Sequence, residues 1–189
     1  MTFWEEKKEF WRNKTLGNQI YMKQAEEIRC DLKKIEKLVA AKDVTYLDVG
    51  GYDGRIGVGD VIDIFNGFDI TKDWKTQWNS LDTITNKPRN LQEKYNVVFT
   101  SLTLITFPPE QVQFILGEMK KVAKDYVYIF EEERMNGKSR EQVNADYGGK
   151  WQYDWAEELT LAGFTTIPMT DFKPSKVNGR WVRGIIKVR

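Results

Sequence analysis

The sequence contains no histidine, and this absence removes several kinds of catalysis at once. Without an imidazole there is no Ser-His or Cys-His nucleophile pair and no histidine-ligated zinc or iron centre. A single cysteine, Cys30, likewise excludes an internal disulfide bond and a metal site built from several thiolates. Any chemistry must therefore use carboxylates, amines, phenols, backbone groups or a bound cofactor.

Net charge and long apolar segments are also nearly absent. The 29 Lys and Arg residues are balanced by 28 Asp and Glu residues, so the formal charge of +1 creates no overall attraction to nucleic acid or membrane. No apolar run approaches the roughly 20 residues that a membrane-spanning helix requires, and the charged start of the chain is unlike a signal peptide. These features predict a cytoplasmic protein that binds neither a membrane nor a metal.

The apolar residues that are present suffice for one substantial core, at 41% of 189 residues. Helical periodicity predicts an amphipathic helix over residues 20–41, with Gln24 on its otherwise apolar face, and further helices over 109–124 and 153–163. Short apolar segments bounded by turn residues predict strands between them. These strands are residues 44–50, 60–65, 68–74, 94–104, 125–130, 164–169 and a final strand after the Asn-Gly turn at 178–179. Alternating strands and helices favour a three-layer α/β/α sandwich, mostly parallel, with an antiparallel hairpin strand at the C-terminus.

The most unusual segment is VTYLDVGGYDGRIGVG, residues 44–59, where an apolar strand ends at an acid and breaks into five glycines. In a parallel sheet, ligands bind at the carboxyl ends of the strands, where the strand order reverses. Glycines at that place would let the backbone approach a ligand closely, although a tight turn alone would also explain them.

The segment YLDVGGYDG resembles the first motif of class I S-adenosylmethionine-dependent methyltransferases. Asp48, Gly50 and Gly54 fall on the positions of the family pattern, while Tyr52 replaces its middle glycine. The resemblance implies a Rossmann-like sheet in which the backbone from Gly50 through Gly51 to Gly54 holds the amino-acid end of the cofactor. Asp48 would support the turn or the ammonium group of the cofactor.

Two later segments are similar to the strands that hold the nucleoside in this family. GDVIDIFNG resembles the second strand, which implies that Asp63, followed by Ile64, binds both ribose hydroxyls. Asp69 is the alternative, because only fifteen positions separate Asp48 from Asp63, and with Asp69 the adenine loop moves to Leu81 and Asp82. With Asp63, FDITKDW resembles the third strand and its loop, which implies Asp73 and Trp74 as the adenine-binding residues.

YNVVFTSLTLITF resembles the fourth strand of the family and the loop beneath the reactive methyl group, which nominates Thr100, Ser101 and Leu102. The TSLTL segment lacks the Asn/Asp-Pro-Pro-aromatic signature of enzymes that methylate exocyclic amines of bases. We therefore expect a small-molecule acceptor rather than DNA, with RNA or protein as further possibilities. The resemblance implies S-adenosylmethionine as cofactor and S-adenosylhomocysteine as product.

A general base, if the reaction needs one, must come from a carboxylate, a phenol or an amine, because histidine is absent. The candidates are Glu131 and Glu132, directly after the strand at 125–130, and Tyr147 and Tyr153. The aromatic segment 147–155 would form a wall of the acceptor pocket. An acceptor that is already nucleophilic would need no base.

The resemblance divides the chain into a helical segment, residues 1–43, covering the cofactor and acceptor site, and a catalytic domain, residues 44–189, within one compact unit. Two other functions remain open. The altered glycine motif and the short connection before Asp63 are compatible with an inactive, methyltransferase-like binding module for RNA. A nucleotide- or NAD-binding α/β protein is disfavoured by the unsuitable glycine spacing.

Overall fold

Over the residues that the structure describes, the chain forms an α/β structure with helices on both faces of a six-stranded sheet. The computed structural model describes residues 18–51, 56–62, 94–133, 139–143, 150–165 and 173–188. Its helices are α1 (Gln19–Glu36), α2 (Pro109–Val122) and α3 (Trp155–Leu161), and Leu104–Thr106 forms a 3₁₀ turn. Its strands are β1 (Tyr46–Val49), β2 (Asp60–Ile62), β3 (Tyr95–Ser101), β4 (Ala123–Glu132), β5 (Glu141–Val143), β6 (Lys150–Gln152), β7 (Lys173–Pro174) and β8 (Trp181–Lys187).

The main sheet has the strand order β2-β1-β3-β4-β8-β7. Strand β1 pairs in parallel with β2 and β3, and β3 pairs in parallel with β4. Strand β8 is antiparallel to both of its neighbours, β4 and β7. The predicted three-layer α/β sandwich with an antiparallel C-terminal hairpin strand is confirmed. Strands β5 and β6 form a separate antiparallel pair that the sequence pattern did not predict.

Helix α1 covers one face of the sheet. The Asn18 side chain caps its start by accepting a hydrogen bond from the backbone N–H of Ile20 at 3.0 Å. Its apolar residues, spaced three or four apart, place their side chains against the middle strands. The buried cluster comprises Ala25, Ile28, Leu32 and Ile35 of the helix with Val97, Phe99, Tyr128 and Phe130 of the sheet. The helix is confirmed but ends at Glu36, because residues 37–39 turn back on the carbonyls of Ile35 and Glu36.

Helices α2 and α3 cover the opposite face. Pro109 occupies the first turn of α2, where its missing N–H costs no helical hydrogen bond. The buried side of α2 packs on the alternate residues of β3 and β4, which point away from α1. These contacts join Val112, Ile115, Leu116 and Met119 to Val98, Val127 and Ile129.

The strand predicted over residues 94–104 ends earlier, at Ser101. Leu102 adopts a φ of 50°, which breaks the extended backbone, and the 3₁₀ turn follows. The strand predicted over 125–130 is longer, because Ala123 pairs with β3 and Glu131 and Glu132 pair with β8. Phe164 and Thr165, predicted as the start of a strand, are not extended into the sheet. The rest of that segment and the predicted strand 68–74 lie outside the described residues.

The connection from β1 to β2 contains no helix over its described residues 56–59. Gly59 has a φ of 72°, and a Cβ atom on it would lie 2.4 Å from the carbonyl oxygen of Tyr46. The chain thus returns close beside the start of β1, which only glycine permits at this position.

A buried ion cluster lies between α1 and the sheet. Arg183 of β8, whose side chain is 12% exposed, contacts Asp31 at 2.6 Å and Glu27 at 3.2 Å. The Tyr128 hydroxyl donates a hydrogen bond to the same Asp31 carboxylate at 3.1 Å. Arg183 therefore compensates two carboxylates that α1 presents to the sheet, and its removal would leave Glu27 without this cation and Asp31 with the exposed Lys34 alone.

We predict that Arg183→Met lowers the free energy of unfolding by about 3 kcal/mol, because it removes the buried cation that compensates the buried carboxylates. Lys34 is the matched control, since it pairs with Asp31 at 2.7 Å but its side chain is 64% exposed. Lys34→Met should cost less than about 1 kcal/mol. Urea unfolding at pH 7 measures both values, and equal losses would contradict the importance assigned to the buried cation.

Candidate functional site

The strand order reverses beside β1, because the chain proceeds from β1 to one neighbour, β2, and later returns to the other side as β3. Ligands of open α/β sheets bind in the crevice at such a point, beyond the carboxyl ends of the strands. Gly50 and Gly51 directly follow β1 there, and Leu102 and Thr103 follow β3. The glycine segment and the TSLTL segment are therefore neighbours.

The two glycines after β1 are required by packing within the protein. Gly50 has a φ of 81°, and a Cβ atom on it would lie 2.2 Å from Cγ2 of Thr103. A Cβ atom on Gly51 would lie 2.3 Å from a carboxylate oxygen of the buried Asp48 and 2.8 Å from Val61. At both positions the backbone lies too close to its neighbours for any side chain to fit. The turn is therefore narrow, and no side chain at these two positions covers its peptide groups.

Thr103 joins the two segments, although the sequence prediction stopped one residue before it. Its hydroxyl lies 3.2 Å from the carbonyl oxygen of Gly50 and 3.0 Å from that of Ser101. The preceding residue, Leu102, has a left-handed backbone, and its N–H donates to the Phe130 carbonyl at 2.8 Å. The end of β3 is therefore fixed to both β4 and the glycine turn.

Glu131, at the end of β4, is fully buried beside this turn. Its Oε1 atom accepts hydrogen bonds from the Thr100 hydroxyl at 3.1 Å and from the backbone N–H groups of Thr103 and Leu104 at 3.1 and 3.2 Å. Its Oε2 atom has no hydrogen-bond donor among the described residues. Burial raises the pKa of Glu131 to about 7, because loss of solvent penalises the charge more than the hydrogen bonds favour it.

Gln24 of α1 reaches the same end of the sheet from the other face. Its Nε2 atom donates a hydrogen bond to Ser101 Oγ at 2.7 Å, and both residues are buried. Its Oε1 atom has no donor within the described part of the chain. Gln24 is a polar residue on the apolar face of the predicted helix, which indicates a buried polar role. A local sequence pattern cannot identify its partner Ser101, which lies 77 residues away.

Two of the other base candidates, Glu132 and Tyr153, make structural contacts. Glu132 accepts a hydrogen bond from Lys150 at 2.9 Å, and its backbone carbonyl accepts one from the indole N–H of Trp155. Tyr153 is fully buried, donates its hydroxyl proton to the Phe107 carbonyl at 2.6 Å, and has a pKa raised above the usual tyrosine value by burial. These contacts favour a core role for Tyr153. The predicted site residues Tyr52, Gly54, Asp63, Ile64, Asp69, Asp73, Trp74, Leu81, Asp82 and Tyr147 lie outside the described residues.

A cleft of about 560 Å³ opens at the other end of the sheet, lined by residues that include Tyr46, Gly59 and Tyr95. It lies at the amino ends of β1 and β3, away from Gly50. Over the described ranges, no three acidic or cysteine side chains are grouped as a metal would require. None of the helices described has both the length and the apolar character needed to cross a bilayer.

The pKa of Glu131 predicts a pH-dependent stability. Because its value rises from 4.5 to about 7 on folding, the folded state binds this proton more tightly than the unfolded chain. The stabilisation is complete below about pH 4.5 and is lost as the pH rises through 7, a change on the order of 3 kcal/mol. Glu131→Gln removes the titration, so this variant should gain stability relative to the original protein between pH 5 and pH 8. Urea unfolding at both pH values measures the difference, and a constant difference would contradict the prediction.

Comparison with known proteins identifies the fold of this chain. No family model and no curated protein matches the sequence. Among solved structures, magnesium protoporphyrin IX methyltransferase from Synechocystis PCC 6803, with bound SAH, superimposes with a TM-score of 0.52 at 12% identity, over 89% of this chain and 82% of that one. The mitomycin 7-O-methyltransferase MmcR gives a TM-score of 0.52 at 14% identity, over 99% of this chain and 60% of that one. The chain has the class I S-adenosylmethionine-dependent methyltransferase fold that the sequence motifs predicted.

Proposed function

We propose that this chain is an S-adenosylmethionine-dependent methyltransferase that acts on a small molecule rather than on DNA and releases S-adenosylhomocysteine. The observation that carries the proposal is the bare glycine turn at the point where the strand order reverses, in a methyltransferase fold. Both structural neighbours are, by their names, methyltransferases of small organic compounds. The chain also lacks the base-amine signature beside Ser101.

A buried acceptor at this end of the sheet suits such a cofactor. Gln24, whose amide donates to Ser101 at the end of β3, has an Oε1 atom without a donor among the described residues. Buried acceptors without partners are costly, and a ligand that brings N–H or O–H donors removes that cost. S-adenosylmethionine carries both kinds of donor, in its ammonium group and its ribose hydroxyls.

The family motifs assign the remaining contacts of the proposed site. Gly50, Gly51 and Gly54, with Asp48 beneath them, would receive the amino-acid end of the cofactor. Ser101 and Leu102 would lie under its methyl group, with Thr100 acting from beneath, since its hydroxyl is engaged by Glu131. The nucleoside contacts fall to Asp63 with Ile64, or alternatively Asp69, and to Asp73 and Trp74.

The protein itself needs to supply little of the chemistry of methyl transfer. A bound sulfonium supplies a methyl group that is already activated for displacement. The chain then has to hold the acceptor atom in line with it and exclude water, which is worth several orders of magnitude in rate. Tyr153 is a poor base because its proton is engaged by the Phe107 carbonyl. Glu131, Glu132 and Tyr147 remain base candidates, and a nucleophilic acceptor needs none of them.

The decisive experiment is isothermal titration of the protein with S-adenosylhomocysteine, S-adenosylmethionine and, as a control, NAD. We expect saturable binding of both sulfur compounds and none of NAD. Asp63→Ala should abolish the binding while Asp69→Ala preserves it, because one carboxylate accepts both ribose hydroxyls. The reverse pattern would move the ribose site to Asp69. Failure of both sulfur compounds to bind would refute the proposal.

Turnover needs a second experiment, because binding alone also fits an inactive methyltransferase-like module. Transfer of a labelled methyl group to fractionated small-molecule, RNA and protein pools distinguishes the two. Label in the small-molecule pool is the expected result. Binding of the cofactor without label in any pool would favour the inactive module instead.

A further inference from the structure

One carboxylate oxygen of Glu131 accepts three hydrogen bonds at the proposed site. Glu131 Oε1 accepts from the Thr100 side chain in β3 and from the N–H groups of Thr103 and Leu104 in the following turn. These donors lie 27 to 31 residues from Glu131 along the chain. The end of β4 therefore determines the path of the chain as it leaves β3.

The end of β4 holds the segment after β3 in a conformation that is unfavourable for the backbone. Leu102 has a φ of 50°, a left-handed conformation that costs a non-glycine residue free energy. Such a residue persists only where surrounding contacts fix it. The Leu102 N–H bonds to Phe130, and the next two N–H groups bond to Glu131, so consecutive residues of β4 hold consecutive residues of this turn.

The turn after β3 also fixes the position of the glycine loop after β1. Thr103 bonds through its hydroxyl to the Gly50 carbonyl, and its methyl group fills the space that a side chain on Gly50 would occupy. Displacement of Thr103 would leave the Gly50 carbonyl without this partner and open a void beside the loop. The described contacts therefore form a continuous series, from Glu131 through Thr103 to Gly50.

We propose that Glu131 is a positioning residue for the cofactor loop, acting through Thr103 on Gly50. The inference rests on the proposed function, because the loop is a cofactor loop only if the chain binds the cofactor. It differs from a role for Glu131 as general base. Positioning uses the hydrogen bonds at Oε1, which a glutamine amide oxygen retains, whereas a base requires an ionisable carboxylate.

Two matched pairs of variants test this with S-adenosylhomocysteine binding, which needs no knowledge of the acceptor. Glu131→Leu removes all three hydrogen bonds, and Thr103→Val removes the hydroxyl but keeps the shape that packs on Gly50. Each should weaken binding by about tenfold or more, since buried donors or acceptors lose their partners. Glu131→Gln and Thr103→Ser keep the hydrogen bonds and should bind within about threefold of the original protein.

Circular dichroism establishes that each variant is folded before titration, and Thr103→Val keeps the test valid if Glu131→Leu does not fold. Equal binding by the original protein, Thr103→Val and any folded Glu131→Leu would overturn the inference and leave the proposed function intact. Weak binding by Glu131→Gln would also overturn it, because charge rather than hydrogen-bond geometry would then matter. Absence of binding by the original protein would refute the proposed function and this inference with it.

Discussion

The close contact between Gly50 and Thr103 is the constraint on which the rest of the site depends. It brings the segments after β1 and β3 nearer than any residue with a side chain at position 50 would allow. The strand order makes these segments neighbours, and the close packing of Gly50 and the hydrogen bond of the Thr103 hydroxyl hold them together. The glycines were predicted as an approach surface for a ligand, and the structure adds that the protein needs them for its own packing.

Buried polar groups on both faces stabilise the end of the sheet where β3 and β4 terminate. On one face, α1 carries Gln24 to Ser101 and the carboxylates of Glu27 and Asp31 to Arg183. On the other face, Glu131 supports the turn after β3. These contacts use an amide, a hydroxyl, a guanidinium and three carboxylates. Because Glu131 has a pKa of about 7, its charge is sensitive to pH near neutrality.

The sequence predicted the fold, and its assignments of site residues stay predictions. Helical and strand periodicity identified α1, α2, β1, β3 and the antiparallel β8, because these elements bury continuous apolar faces. The end of β3 was misplaced, since the apolar run continues through Leu104 while a carboxylate 27 residues later stops the strand. The roles of Thr103 and Gln24 likewise depend on partners distant in sequence, and the β5–β6 pair has no apolar alternation to reveal it. The family motifs supplied site assignments that composition and spacing alone could not, and these assignments stay predictions.

The most direct test of the account is a crystal structure of the protein with S-adenosylhomocysteine. The proposed function predicts ligand density at the carboxyl ends of the strands, with the amino-acid end against the backbone of Gly50 and Gly51 and the sulfur near Ser101. Density in the cleft at the opposite end, beside Tyr46, Gly59 and Tyr95, would contradict it. So would a crystal grown at saturating ligand that shows no ligand at the glycine turn.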